Sequence, residues 1–169
     1  MEDAAPLIMT ALIERTALAR FDALRREHFP PERNLLTAHL TMFHHLPGTR
    51  ASDLLEETKD AARHEQPMRA RAARMQFMGR GCSILIECAE LCDLRDRLRS
   101  LWEPWLIPQD QQRWRPHVTV QNKAEPKAAR ALYDRLDRSF SPWMFQIDGV
   151  TLWWYRNGPW EKLRDVRFR

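Results

Sequence analysis

The apolar positions along the chain follow two periodicities, and their order predicts strands that alternate with helices. Short apolar runs without helical spacing are typical of buried strands. Apolar residues three or four positions apart, as at Leu18, Phe21 and Leu24, indicate a helix that packs one face on a core. The pattern predicts strands at residues 6–13, 35–46, 69–78, 82–88, 115–122, 143–155 and 160–168, and helices at 14–28, from about 52, from 90 to about 104 and from 126.

Two glycine-containing segments and an internal repeat indicate how these elements are arranged. Gly79-Arg80-Gly81 predicts a hairpin between the third and fourth strands, and Asn157-Gly158 predicts a turn between the last two. Each half of the chain repeats the order helix, strand, helix, strand, which suggests a duplication. A chain of 169 residues fits one domain of ordinary size. We therefore expect residues 1–169 to form a single α+β domain with two pseudo-symmetric lobes.

A His-x-Thr sequence occurs once in each half, at residues 39–41 and 117–119. The two histidines are 78 positions apart (117 − 39), and both fall within predicted strands. Side chains alternate between the two faces of a strand, so each histidine should lie beside its own threonine. Alternation places His39, Thr41, Phe43 and His45 on one face, Leu40, Met42 and His44 on the other, and His117, Thr119, Gln121 and Lys123 together.

These residue types suit phosphoryl chemistry if the two strands come together. Opening a cyclic phosphodiester requires one group to take a proton and another to donate one, and imidazole does both near neutral pH. Threonine hydroxyls stabilise charge on the nonbridging oxygens. The candidate catalytic residues are thus His39, Thr41, His117 and Thr119. The alternative is that all four are ordinary residues of half-buried strands.

Composition and charge narrow the class of protein only a little. The net charge is +4, and only four of the 27 basic residues are lysines. A guanidinium can form two parallel hydrogen bonds with a phosphate, so the arginines could bind an anionic ligand. Equally, they could be ordinary solvated residues of the protein surface. No stretch approaches the roughly 20 apolar residues of a membrane span, and Met1–Pro6 lacks the features of a signal peptide, so we expect a cytoplasmic protein. Three cysteines without a Cys-x-x-Cys pair indicate neither disulfides nor zinc.

The paired motifs also support recognition of a family. His39-x-Thr41 and His117-x-Thr119 look like the signature of the 2H phosphoesterase superfamily, and residues 38–48 with 115–120 resemble its bacterial 2′-5′ RNA ligase-like branch. The resemblance implies two lobes of mixed or antiparallel sheet with flanking helices around a central groove. It also implies no metal or other cofactor, and action on 2′,3′-cyclic phosphates or 2′,5′-linked phosphodiesters. In that family one histidine is the base, the other is the acid, and both hydroxyls hold the phosphate.

Residues around the motifs extend the candidate site toward the substrate. Relatives that handle RNA often have an arginine after the second motif, whereas here only Lys123 could supply that charge. Trp114, Phe43 and Tyr155 are candidates for stacking on a base. For any single aromatic, packing in the core or at its rim is the more frequent role. The expected partners are RNA ends or small cyclic nucleotides, and we expect a monomer with no membrane association.

Other interpretations remain open or are weaker. His44-His45 with His64 could suggest a metal site, but neighbouring strand residues point in opposite directions and no carboxylate or cysteine stands at ligand spacing. Arg69, Arg71 and Arg74 could contact a nucleic acid or protect an edge strand. Two rival functions are a nucleotide- or RNA-binding module without turnover and an interaction protein without any phosphate site.

Overall fold

The computed structural model describes residues 5–169, so most of the N-terminal segment that bears on a signal peptide lies outside the described residues. Within that range the chain alternates strands and α-helices. The strands are β1 (Leu7–Ile13), β2 (Thr41–Leu46), β3 (Met68–Phe77), β4 (Cys82–Glu87), β5 (His117–Gln121), β6 (Trp143–Trp154) and β7 (Glu161–Arg167). The helices are α1 (Arg15–His28), α2 (Ala51–Ala62), α3 (Ala89–Trp102), α4 (Pro108–Gln111) and α5 (Pro126–Ser139).

All strand pairs are antiparallel and belong to one sheet in the order β2-β1-β6-β3-β4-β5, with β7 paired to β6. The motif strands β2 and β5 therefore stand at opposite ends of this path. The two ends nevertheless lie close together, as the hydrogen bond of 3.0 Å from the Trp114 indole, next to β5, to the Thr41 carbonyl of β2 shows. The sheet is therefore strongly curved and nearly closed. The predicted α+β class and the predicted hairpin of β3 and β4 are confirmed.

Aromatic side chains fix the helices on the sheet. Phe21 of α1 is fully buried, with its ring 4.8 Å from Trp143 and 5.3 Å from Phe145 of β6. Trp102, the last residue of α3, is also fully buried and lies 5.3 Å from the Phe43 ring of β2. Burying one such side chain contributes about 1.5–3 kcal/mol, so these contacts hold α1 and α3 at defined positions. None of the described helices combines the length and apolar content that crossing a membrane requires.

A close approach of backbone positions the second motif strand. A Cβ at Gly81 would lie 1.8 Å from the Gln121 carbonyl oxygen. The end of the β3–β4 hairpin therefore packs directly on the end of β5, and only glycine fits there. The Met78 amide closes the hairpin through a bond of 2.9 Å to the Gly81 carbonyl.

Three local predictions were wrong. The first motif strand begins at Thr41 rather than at residue 35, because the backbone at Leu36 and Ala38 bonds to side chains of α1. In α5 the apolar spacing predicts a buried side made of Ala128, Ala131, Leu132 and Leu136. The helix buries Ala129 with Leu132 instead, and Ala128 and Ala131 are exposed. The arginines of β3 do not lie on an edge strand, since β3 pairs with both β4 and β6. The division into two pseudo-symmetric lobes stays a prediction.

Candidate active site

A cavity of about 190 Å³ lies where the two ends of the curved sheet approach each other. Both motif histidines and both motif threonines line it, although 78 positions separate the motifs (117 − 39). Two imidazoles and two hydroxyls around one small space form a set that can hold an anion and exchange protons with it. The complete lining is Ile8, His39, Thr41, His44, His117, Thr119 and Trp160.

The two motif histidines are held in the same way. Nδ1 of His39 lies 2.8 Å from the Thr37 carbonyl oxygen, and Nδ1 of His117 lies 2.9 Å from the Arg115 carbonyl oxygen. A carbonyl only accepts hydrogen bonds, so each Nδ1 carries a hydrogen and donates it. In both rings Nε2 is therefore the nitrogen left to exchange a proton with a ligand. The acceptor stands two residues before the histidine in each motif, which gives the two rings equivalent local settings.

The surroundings of His39 disfavour the charged form of its ring. The pKa of its imidazole is lowered to about 4, chiefly by burial. The Thr37 carbonyl opposes this shift, and the nearby Arg25, His117 and His44 make smaller contributions to it. The Trp160 ring contributes to this burial, with its centroid 4.7 Å from that of His39. At neutral pH the free protein therefore holds His39 uncharged, with a lone pair on Nε2.

The lowered pKa of His39 predicts a dependence of stability on pH. Between pH 6.5 and 4 the unfolded chain binds more protons at this residue than the folded chain, so the free energy of unfolding falls as the pH falls through this window. The loss should reach at most about 3 kcal/mol, and above pH 6.5 the residue contributes no pH dependence. We therefore expect the free energy of unfolding to decrease less in His39→Gln than in the wild-type protein between pH 7.5 and pH 4.5. Urea denaturation at the two pH values measures this difference.

Burial also lowers the pKa of His28. Because His28 is present in both proteins, its contribution to the pH dependence of stability is the same in both and does not affect the comparison. Equal losses of stability in the wild-type protein and in His39→Gln would contradict the assigned pKa.

Two irregularities in β2 decide which of its side chains reach the cavity. Between the pairs Thr10–Thr41 and Met9–Phe43, and again between Phe43 and Leu46, β2 has one residue more than β1. Each extra residue is a β-bulge, which interrupts the alternation of faces. Phe43 turns into the core, where it is fully buried, while His44 lines the cavity. The predicted placement of Phe43 beside Thr41, with His44 on the opposite face, is therefore wrong.

Asp110 of α4 stabilises the second bulge. Its fully buried carboxylate accepts hydrogen bonds from the backbone amides of His44 and His45, at 2.9–3.0 Å. It also accepts a bond of 3.0 Å from Nδ1 of the His44 ring. Burial alone would raise the pKa of this carboxyl, but the three donors hold it below its ordinary value.

Arg25 of α1 connects the two motifs behind the cavity. Its Nε donates to the Asn34 side chain at 2.8 Å and to the Leu36 carbonyl at 3.2 Å, both in the segment that leads to His39. Its terminal nitrogen donates to the Thr119 carbonyl at 3.4 Å. The side chain is 5% exposed. One buried guanidinium thus fixes the distance between the first-motif segment and the second-motif strand.

The four side chains predicted to bind substrate lie outside this cavity. Phe43 is in the core and Tyr155 is exposed. Trp114 is half-buried and bonded to the Thr41 carbonyl, so it holds β2 against β5. Lys123 is exposed, in the left-handed region at φ 58°, with its amide bonded to its neighbour Asn122. Direct substrate contacts by these residues stay predictions.

Sequence reasoning missed four residues that shape the site. Arg25, Asp110 and Trp160 have no local signature, because the contacts that place them at the site are to residues distant in the chain. The only signal for His44 was the His44-His45 pair, which in sequence suggests nothing beyond a metal site. In the described part of the chain no group of three or more histidines, cysteines or acidic residues is placed to hold a metal ion. The missed residues are Arg25, His44, Asp110 and Trp160.

Comparison with known families relates this geometry to one group of proteins. The model of the 2′-5′ RNA ligase superfamily matches residues 13–159. No curated protein sequence matches the chain significantly.

Solved structures share the whole fold at low sequence identity. TT0787 of Thermus thermophilus is 21% identical, with a TM-score of 0.67 over 97% of this chain and 98% of its own. Escherichia coli LigT in its apo form is 17% identical, with a TM-score of 0.64 over 98% of each chain. LigT complexed with 3′-AMP is 16% identical, with a TM-score of 0.66 over 98% of this chain and 99% of its own.

Proposed function

The chain belongs to the 2′-5′ RNA ligase superfamily and is a 2H phosphoesterase, and on this basis we propose that it acts on 2′,3′-cyclic phosphates or 2′,5′-linked phosphodiesters of RNA ends or nucleotides. The observation that carries the proposal is the convergence of His39, Thr41, His117 and Thr119 on one cavity. The complex of LigT with 3′-AMP supports the same ligand class, a nucleoside phosphate, for this chain.

The proposed reaction uses the two imidazoles in different protonation states. His39 is the candidate base, because its lowered pKa keeps Nε2 unprotonated in the free protein. A bound phosphate anion raises the basicity of that nitrogen and prepares it to take the proton of an attacking water. His117, protonated, then delivers a proton to the oxygen that leaves phosphorus. Nδ1 of each ring stays bonded to its carbonyl throughout, so proton transfer occurs at Nε2.

The threonines hold the phosphate between these two rings. Thr119 follows His117 by two positions within β5, so their hydroxyl and imidazole lie on the same face of the strand. Thr41 and His39 have the same spacing and line the same cavity. As β-branched residues they have few accessible rotamers, so their hydroxyls are already oriented when a ligand arrives. Donors fixed in this way stabilise the extra negative charge that develops on the phosphate oxygens in the transition state.

We expect the protein to open adenosine 2′,3′-cyclic phosphate to a nucleoside monophosphate. The test is incubation with a panel of 2′,3′-cyclic nucleotides and 2′,5′-linked dinucleotides, followed by chromatographic identification of each product. A mutant in which both motif histidines are alanine serves as the matched control, because it keeps the fold but lacks both proton carriers. Binding of these ligands without any product would favour a binding module instead, and absence of binding would favour an interaction protein.

A further inference from the structure

His44 is the third imidazole in the cavity that contains the two motif histidines. Its side chain is 40% exposed, so a ligand can reach it. Its charge also lies close enough to His39 to lower the pKa of that ring. The His-x-Thr motifs do not include this residue, and the reaction described above does not use it.

The orientation of the His44 ring is set by a buried acid. Asp110 is 0% exposed, and its Oδ1 accepts a hydrogen bond from Nδ1 of His44 at 3.0 Å. The same carboxylate accepts hydrogen bonds from the backbone amides of His44 and His45, the two residues inside the second bulge. Backbone and ring are therefore fixed by one group, and the ring is preorganised before any ligand binds.

This arrangement leaves Nε2 as the ring nitrogen available to a ligand. An imidazolium at this position would donate from Nε2 while the Asp110 carboxylate stabilises its positive charge. The other titratable groups that face it are His39 and His117, which line the same cavity. Arg95 of α3 lies behind Asp110 but donates to its backbone carbonyl at 2.9 Å, so it leaves the carboxylate to His44.

We propose that His44, positioned by Asp110, is a third phosphate-binding residue of this site and contacts a phosphate oxygen through Nε2. The proposal rests on the proposed function, since it assumes that the cavity binds a phosphate. The two threonine hydroxyls each offer one donor, and a His44 imidazolium would add a third donor while Asp110 accepts the hydrogen of its other ring nitrogen. The contact is made to charge that the phosphate already has in its ground state, so its main effect is on binding.

The test compares three full-length variants. His44→Gln replaces the imidazole by a neutral amide. His44→Asn keeps a donor near Asp110, but its shorter side chain has no atom at the position of Nε2. His45→Gln is the matched control, because His45 is exposed and does not line the cavity. Initial rates with adenosine 2′,3′-cyclic phosphate and calorimetric titration with 3′-AMP give KM, kcat and Kd for each.

We expect both His44 variants to raise KM and Kd by about tenfold to a hundredfold, the usual effect of losing a hydrogen bond to a charged group. Their kcat should change less than threefold, and His45→Gln should match the wild-type protein. Unchanged KM and Kd in both variants, or a loss confined to kcat, would overturn the proposal. Wild-type protein that binds 3′-AMP without turnover would refute only the proposed reaction, and failure to bind it would refute both.

Discussion

Replacing either motif histidine with alanine should reduce kcat for a cyclic phosphate by about 10²–10⁴, the usual contribution of one general acid or base. This corresponds to roughly 3–5 kcal/mol of activation free energy. His39→Ala removes the uncharged Nε2 that takes a proton, and His117→Ala removes the donor to the leaving oxygen. Steady-state kinetics on 2′,3′-cyclic nucleotides measure both losses. Because neither ring is fully buried, the variants should remain folded.

The double variant separates a shared mechanism from two independent effects. Groups that act as a unit are strongly non-additive, so the combined loss should be much smaller than the product of the single losses. The activity of wild-type protein should also have a bell-shaped pH profile, since one imidazole must be neutral and the other protonated. Near-normal turnover by His39→Ala would disprove the two-histidine mechanism even though the fold is that of the superfamily.

Arg25→Met should lower kcat/KM by about a hundredfold without removing any group that touches the substrate. Methionine keeps the apolar stem but loses the bonds to Asn34, Leu36 and Thr119 that fix the separation of the two motifs. A displacement of about 1 Å between catalytic groups can cost a factor of this size. Loss of the guanidinium should also raise the pKa of His39, because Arg25 is one of the charges that lower it.

The pH profile distinguishes this positioning role from simple destabilisation. In Arg25→Met the acid limb of kcat/KM should move to higher pH, an effect that a partly unfolded sample would not produce. Arg26→Met is the matched control, since that side chain is 69% exposed and pairs with Asp22 at 3.5 Å. An unshifted acid limb together with wild-type kcat/KM in Arg25→Met would contradict the role assigned to Arg25.

Local periodicity was sufficient to predict most elements of the fold. Strand β1, helix α1 and the hairpin of β3 and β4 lie within one or two residues of their predicted bounds, because their apolar spacing and terminating residues are contiguous in sequence. The catalytic candidates were found for a similar reason. Each motif is three residues long, and its repetition in a second strand is visible without knowledge of the fold.

Long-range contacts account for what the sequence did not reveal. The position of His44, rather than Phe43, on the cavity side depends on two bulges in β2. The second bulge is stabilised by Asp110, a residue 66 positions after His44 (110 − 44). The late start of β2 depends on side chains of α1, which bond to the backbone of Leu36 and Ala38. Trp160 lies against His39 only because β7 pairs with β6 at the far side of the cavity. Strand alternation carries no information about any of these partners.

The position of β6 within the sheet constrains when the protein can become active during its synthesis on the ribosome. Both motif strands are complete by residue 121, but β6, at residues 143–154, is the only described strand that hydrogen-bonds to both β1 and β3. Until it emerges, β1 with β2 and β3 with β4 and β5 are separate pieces of sheet. Domains commonly fold as units as they are synthesised. A nascent chain that already contains both histidines therefore still lacks the strand that unites them.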